Sequence, residues 1–256
     1  GMIGLVTWHQ GRCGSSVLAS LLNQHSQIQA FNEVFSKYMP RRRGDQPIPS
    51  MAEVLKSSIQ ACVKPVLNVE IKYLSAQNFA LYPTAHLADW FSELSGHGLH
   101  RHLLIHRRNG LRRLVSHLMA QRTGVYVQKQ AVPSPSSASR QLAIDMASIT
   151  EGFETHSLLG WLEIYDQAHQ QMREGLTAWC SQHQQPAPLE LFYEEVIEPS
   201  PQLAYAQVCA ALGLEQEPAV VKLQRINPEP LAQLISNWSE IEALLAPTRF
   251  AWMLAA

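Results

Sequence analysis

Ile3-Gly4-Leu5-Val6-Thr7-Trp8-His9-Gln10-Gly11-Arg12-Cys13-Gly14-Ser15-Ser16 is the stretch whose reading decides the fold. Ile3–Thr7 is apolar and β-prone, which predicts a buried strand. From Ser16 the pattern changes, with Val17, Leu18, Leu21 and Leu22 recurring at helical spacing. A Gly-containing turn between a strand and a helix N-terminus points several backbone N–H groups at one spot, with the helix dipole behind them. Such a turn binds an anion. A nucleotide triphosphatase would carry Gly-x-x-x-x-Gly-Lys-Ser/Thr here. Aligned on Gly14, this chain has His9 for the first glycine and Ser15 for the lysine, and keeps only Ser16. The nearest cation is Arg12, inside the loop. The turn therefore reads as built for a phosphate-like group but not for Mg-ATP.

A second segment repeats the theme. His100-Arg101-His102-Leu103-Leu104-Ile105-His106-Arg107-Arg108 predicts another short buried strand ending in cations. Triphosphatases place an aspartate at such a strand end to hold Mg²⁺, whereas His-Arg-Arg repels a metal and attracts a further anion. Asn109 is a candidate N-cap for a helix whose apolar face is Leu111, Leu114, Val115, Leu118 and Met119. Ser116 follows Arg108 by eight residues, two turns along that helix. Two anion sites at neighbouring strand ends suit a ligand with two separated phosphate-type groups.

With these motifs in hand, the chain resembles the 3′-phosphoadenosine 5′-phosphosulfate (PAPS)-dependent sulfotransferases. That family's first motif, Arg-Ser-Gly-Ser-Thr/Ser-x-Leu, stands here as Arg12-Cys13-Gly14-Ser15-Ser16-Val17-Leu18, with Cys13 replacing serine. Its second motif, an arginine followed eight residues later by a serine, stands as Arg108 and Ser116. The string Arg107–Ser116 and the run Asn237–Phe250 are most similar to the bacterial carbohydrate sulfotransferases. Tyr193-Glu194-Glu195-Val196 resembles the segment after the last core strand. The resemblance implies a P-loop-like three-layer α/β fold with PAPS as donor and adenosine 3′,5′-bisphosphate as product. It further implies a carbohydrate or other hydroxylated small-molecule acceptor. Arg12, Cys13, Gly14, Ser15 and Ser16 would bind the 5′-phosphosulfate, and Arg108 with Ser116 the 3′-phosphate.

Composition is consistent with this. The 256 residues suffice for one domain (1–256) with a sizeable core. Twenty lysines and arginines against 21 aspartates and glutamates give a net charge of −1, which disfavours a nucleic-acid binder. The cations cluster instead at Arg41–Arg43 and from Arg101 to Arg113. No run of about 18 apolar residues predicts a membrane span. The first strand begins at Ile3, leaving no room for a signal peptide, so a cytoplasmic location is expected. Cys13, Cys62, Cys180 and Cys209 are scattered, as reduced thiols would be, and the eleven histidines show no metal-ligand spacing. No metal is expected.

Five strands are predicted at Ile3–Thr7, Ile28–Phe31, Val66–Tyr73, His102–His106 and Leu189–Tyr193. Helices are expected at Ser16–Gln24, Met51–Ala61, Thr84–Leu94, Leu111–Arg122 and from Gln141 to about Gln182, with another from Ser200-Pro201 to about Gly213. This alternation predicts a mainly parallel sheet of about five strands flanked by helices, with ligands beyond the strands' carboxyl ends. Tyr38–Ser50 and Gln128–Arg140 read as loops, either plain connections or lids over an acceptor.

The acceptor hydroxyl needs a proton acceptor. Glu33 follows the second strand at the same sheet edge, where its position is similar to that of the glutamate base of bacterial carbohydrate sulfotransferases. His9 is the alternative base, or else orients the loop. Lys72 occupies the place of the cytosolic-type enzymes' Lys-Thr-His motif, without the histidine. It could touch the transferring sulfonate or form a structural ion pair. Arg107, Arg112 and Arg113 are expected on a helix surface. Trp161, Trp179, Trp238 and Trp252 are core residues or sugar platforms. Two other readings stay open: a P-loop-type small-molecule kinase, and an inactive nucleotide-binding protein.

Overall fold

The computed structural model describes residues 1–124, 141–223 and 228–255. The expected Gln128–Arg140 loop lies outside the described residues. Strands β1 (Ile3–His9), β2 (Ile28–Glu33), β3 (Val66–Lys72) and β4 (Leu99–His106) belong to one sheet. A short hairpin, β5 (Ile149–Glu151) and β6 (Glu154–His156), stands apart, and β7 (Leu189–Phe192) completes the sheet. The order is β2-β3-β1-β4-β7, and all the pairings are parallel. Parallel sheets are covered on both faces, so their strands read as near-continuous apolar runs. That is why β3, buried from Val66 through Ile71, was legible.

The covering helices are α1 (Ser15–Gln24), α2 (Pro40–Arg43), α3 (Met51–Ala61), α4 (Leu87–Gly96) and α5 (Gly110–Thr123). They continue with α6 (Leu158–Gln182), α7 (Tyr193–Val196), α8 (Pro201–Ala211), α9 (Leu231–Leu234) and α10 (Trp238–Leu245). One layer packs α1 and α8 on Leu5, Leu103 and Leu191. The opposite layer packs α3, α4 and α6 on Val6, Trp8, Val69 and Leu104. A third cluster joins α5, α6, α10 and the C-terminal turn around Trp161.

Two expectations are corrected. The stretch from Gln141 to Gln182 is not one helix, because Ile149–His156 forms the β5–β6 hairpin ahead of α6. Gly152 makes the turn at φ +58°, and a Cβ there would lie 2.0 Å from the Ala76 carbonyl oxygen, so only glycine fits. The Tyr38–Ser50 segment is likewise not all loop, since Pro40 starts the α2 turn that carries the three arginines. Trp161 is fully buried and donates to the Ile149 carbonyl, whereas Trp252 is half exposed.

Candidate active site

The loop between β1 and α1 sits at the carboxyl edge of the sheet's central strand. Gly11 (φ +84°), Arg12 (φ +55°) and Gly14 (φ +82°) are all left-handed. For Arg12, which has a Cβ, that conformation costs about 1–2 kcal/mol. Side chains from four directions hold the loop in this shape. Arg107 Nη1 donates to the Arg12 carbonyl at 2.9 Å. Arg113 donates to the carbonyls of Gln10 and Gly11. Gln77 donates to the Gln10 carbonyl at 2.7 Å, and His9 Nδ1 accepts the Gly11 N–H at 2.9 Å. With these carbonyls turned outward, the start of α1 faces the site. Gly14 is its N-cap, no side chain caps it, and its first turn holds no acid.

The second strand-to-helix turn is built differently. Asn109 Oδ1 accepts from Arg112 N at 3.0 Å, as expected of an N-cap. The Glu194 carboxylate takes the N–H groups of Arg108 and Asn109 at 2.9 and 3.0 Å. An internal carboxylate thus already fills this turn.

That arrangement separates the two neighbouring arginines. Arg108 pairs with Glu195 at 2.7 Å and lies over the Phe192 ring, half exposed. Arg107 lies over the Tyr193 ring and reaches the loop. Ser116 accepts from Arg12 Nε at 2.9 Å. The structure therefore gathers Arg12, Arg107 and Ser116 at one spot and turns Arg108 toward Glu195.

On the other side of the loop, β3 runs beside β1 with Lys72 opposite His9. Lys72 Nζ lies 3.1 Å from Glu33 Oε1, both side chains being about one-third exposed. Lys72 also borders the loop, since a Cβ at Gly11 would lie 3.5 Å from its Cδ. Burial alone would raise the Glu33 carboxyl, but the Lys72 ammonium overrides it, and Glu33 titrates below the ordinary carboxylate range. Glu33 is therefore ionised at neutral pH and able to accept a proton.

His9 is fully buried, and its Nε2 lies 2.9 Å from Glu70 Oε1. Burial pulls its pKa down, while Cys13 and Glu70 pull it up with a net rise. A second ring proton would nevertheless have to displace the Gly11 N–H from Nδ1. With Nδ1 accepting the Gly11 N–H, the ring proton sits on Nε2, the nitrogen beside Glu70. Both ring nitrogens are thereby turned to protein partners, Nδ1 to the Gly11 N–H and Nε2 to Glu70.

Arg113 is the residue that reading from the sequence missed. Expected on a surface, it is 2% exposed. Its Nη1 donates to Glu151 Oε2 at 2.7 Å and to Tyr165 Oη at 3.1 Å, and Tyr165 donates to the same carboxylate at 2.8 Å. Burial would raise the Glu151 carboxyl, but Arg113 holds it at about 2. One available signal was the helical face itself, because Arg113 shares it with the small residues Gly110 and Ala120.

Among the described residues no group of three His, Cys, Asp or Glu side chains could hold a metal ion. None of their helices is long and apolar enough to cross a membrane. No family model and no curated protein sequence matches this chain. Among solved structures, twelve chains match. One is a sulfotransferase from Alicyclobacillus acidocaldarius, 13% identical with a TM-score of 0.50, the match covering 99% of this chain and 94% of that one. At that identity the likeness establishes the fold, a sulfotransferase-like P-loop architecture.

Proposed function

We propose that this protein is a PAPS-dependent sulfotransferase acting on a hydroxylated small molecule or carbohydrate. The observation that carries the reading is the lysine-free anion loop, flanked by Arg12, Arg107 and Ser116 on one side and by the Lys72–Glu33 pair on the other. Gly14, Ser15 and Ser16 would receive the 5′-phosphosulfate at the start of α1, with Cys13 packing beneath it. A cation beside Ser116 would take the 3′-phosphate. We favour Arg107 over Arg108 for this role, because Arg108 would have to leave Glu195 to reach the loop.

In the reaction the acceptor oxygen bonds to sulfur as the bridging sulfur–oxygen bond breaks, and the bond electrons leave with the nucleotide phosphate. Arg12 and the amides of α1 would stabilise the charge growing on that phosphate, the preorganised electrostatics on which such transfers rely. Glu33 would take the acceptor proton, and Lys72 would hold Glu33 ionised beside the transferring group.

Isothermal titration with adenosine 3′,5′-bisphosphate tests the donor reading. Micromolar binding is expected, weakened at least tenfold by Arg107→Gln and much less by Arg108→Gln. Folded protein that fails to bind the bisphosphate would overturn the assignment.

A further inference from the structure

Beside Glu33 lies a cleft of about 390 Å³ between the carboxyl end of β2, the α2 turn and α3. That volume falls within the usual range of small-molecule sites. Glu33 is the one acidic residue among those lining it, and it is already matched by Lys72. Lys37 and Arg42 add two further cations to the walls, with Asn32, Ser57 and Ser58 as neutral hydrogen-bonding groups.

Arg42 adds to the Lys72 charge that holds Glu33 ionised, and the cations here still outnumber the one carboxylate. Among the described residues neither Lys37 nor Arg42 forms an ion pair within 4 Å, and Lys37's ammonium lies 5.2 Å from the centre of the Tyr38 ring. Glu53, at the start of α3, is turned to the Ser50 N–H in a capping box. The short α2 helix after Pro40 fixes where Arg42 stands, its N–H donating to the Met39 carbonyl at 2.9 Å.

We infer that this cleft receives the acceptor, and that the acceptor itself carries a carboxylate or sulfate group held by Arg42 and Lys37 while its hydroxyl lies at Glu33. The inference rests on the sulfotransferase reading for its chemistry and on the cleft alone for its charge preference. A neutral polyol would leave two cations facing an uncharged ligand. An anionic acceptor gains a charge-assisted hydrogen bond, the stronger kind.

The test uses saturation-transfer NMR on the full chain with three probes: methyl β-glucuronide, glucose 6-sulfate and methyl β-glucoside. The two anions are expected to bind at least tenfold more tightly than the neutral glycoside, by the strength of one hydrogen bond to a charged group. Preference for one anion over the other distinguishes carboxylate from sulfate. Arg42→Gln should shrink the preference severalfold, and Arg42→Glu should abolish it. Arg42 is exposed, and the variants' unfolding midpoints check that they remain folded.

Equal binding of all three probes, binding of none, or a preference untouched by Arg42→Glu would overturn the inference. Adenosine bisphosphate binding is measured in parallel. Its failure beside a retained anion preference would overturn the donor reading and support the cleft.

Discussion

Replacing Arg113 by methionine gives the sharpest test of how the anion loop is held. The substitution leaves Glu151, 1% exposed, with Tyr165 as its remaining hydrogen-bond donor among the described residues. Removing one partner of a buried ion pair costs about 3–5 kcal/mol. The depressed titration of Glu151 points the same way. A carboxyl at about 2 in the folded state and 4.5 when unfolded contributes about 3 to 4 kcal/mol, at about 1.4 kcal/mol per pH unit. Because the folded value is depressed, that contribution is complete above pH 4.5 and is lost as pH falls from 4.5 toward 2.

Arg113→Met should therefore lower the urea-unfolding free energy by about 3 kcal/mol at pH 7. Combining it with Glu151→Leu should recover most of the loss, since a well-packed apolar pair replaces a buried ion pair at little cost. Bisphosphate affinity should not recover, because the Gln10 and Gly11 carbonyls still lack the guanidinium that turns them outward. Calorimetry on both variants, with at least a tenfold affinity loss in each, checks this. A double variant that is stable and binds like the wild type would show that Arg113 only holds the core together.

The remaining predictions are more compact. Glu33→Gln should leave bisphosphate affinity within a fewfold of wild type and slow sulfate transfer about 100- to 10,000-fold, read by comparing calorimetry with product formation. The pH profile of kcat/KM should stay flat from neutral pH down to the carboxylate range, because Lys72 holds Glu33 ionised; an inflection near 6.5 would point to a histidine base. Gly14→Ala should cost about 1–2 kcal/mol for the left-handed backbone and more for the new Cβ, which would lie 2.5 Å from the Ile197 side chain. Ile197→Ala should relieve only the second part in thermal unfolding. Stability should decline as pH falls through 6.5 toward 4, because burial holds His102, His117 and His169 at about 4. The unfolded chain binds protons there that the folded one refuses, and a stability curve flat across that interval would refute this.

What the sequence disclosed follows from how far apart the interacting residues lie. The strands and the loop were legible because local signals write them: apolar runs for a buried parallel sheet, and Gly11 and Gly14 where the backbone turns left-handed. Asn109 as a cap is equally local. The hairpin at Ile149–His156 was missed because three-residue strands carry almost no alternation to detect. The buried ion pair was missed because Arg113 and Glu151 are 38 residues apart, and an arginine on a helix is ordinarily solvated. The separation of Arg107 from Arg108 was hidden for a similar reason. It is decided by Glu194 and Glu195, which stand more than 85 residues further on but beside β4 in the sheet.

The two strand-to-helix turns illustrate why a shared backbone motif does not by itself make a site. At α5 the turn's N–H groups are met by Asn109 and Glu194, so a ligand phosphate would compete with an internal carboxylate. At α1 no side chain caps the helix, and the loop's strain is held by His9, Arg107, Arg113 and Gln77 from outside. Three of those four residues donate to loop carbonyls, those of Gln10, Gly11 and Arg12, while His9 takes the Gly11 N–H. A non-glycine residue at φ +55° persists only where the surroundings over-determine it, and these contacts do so at Arg12. The shape of the β1–α1 loop is thus held by the folded chain itself.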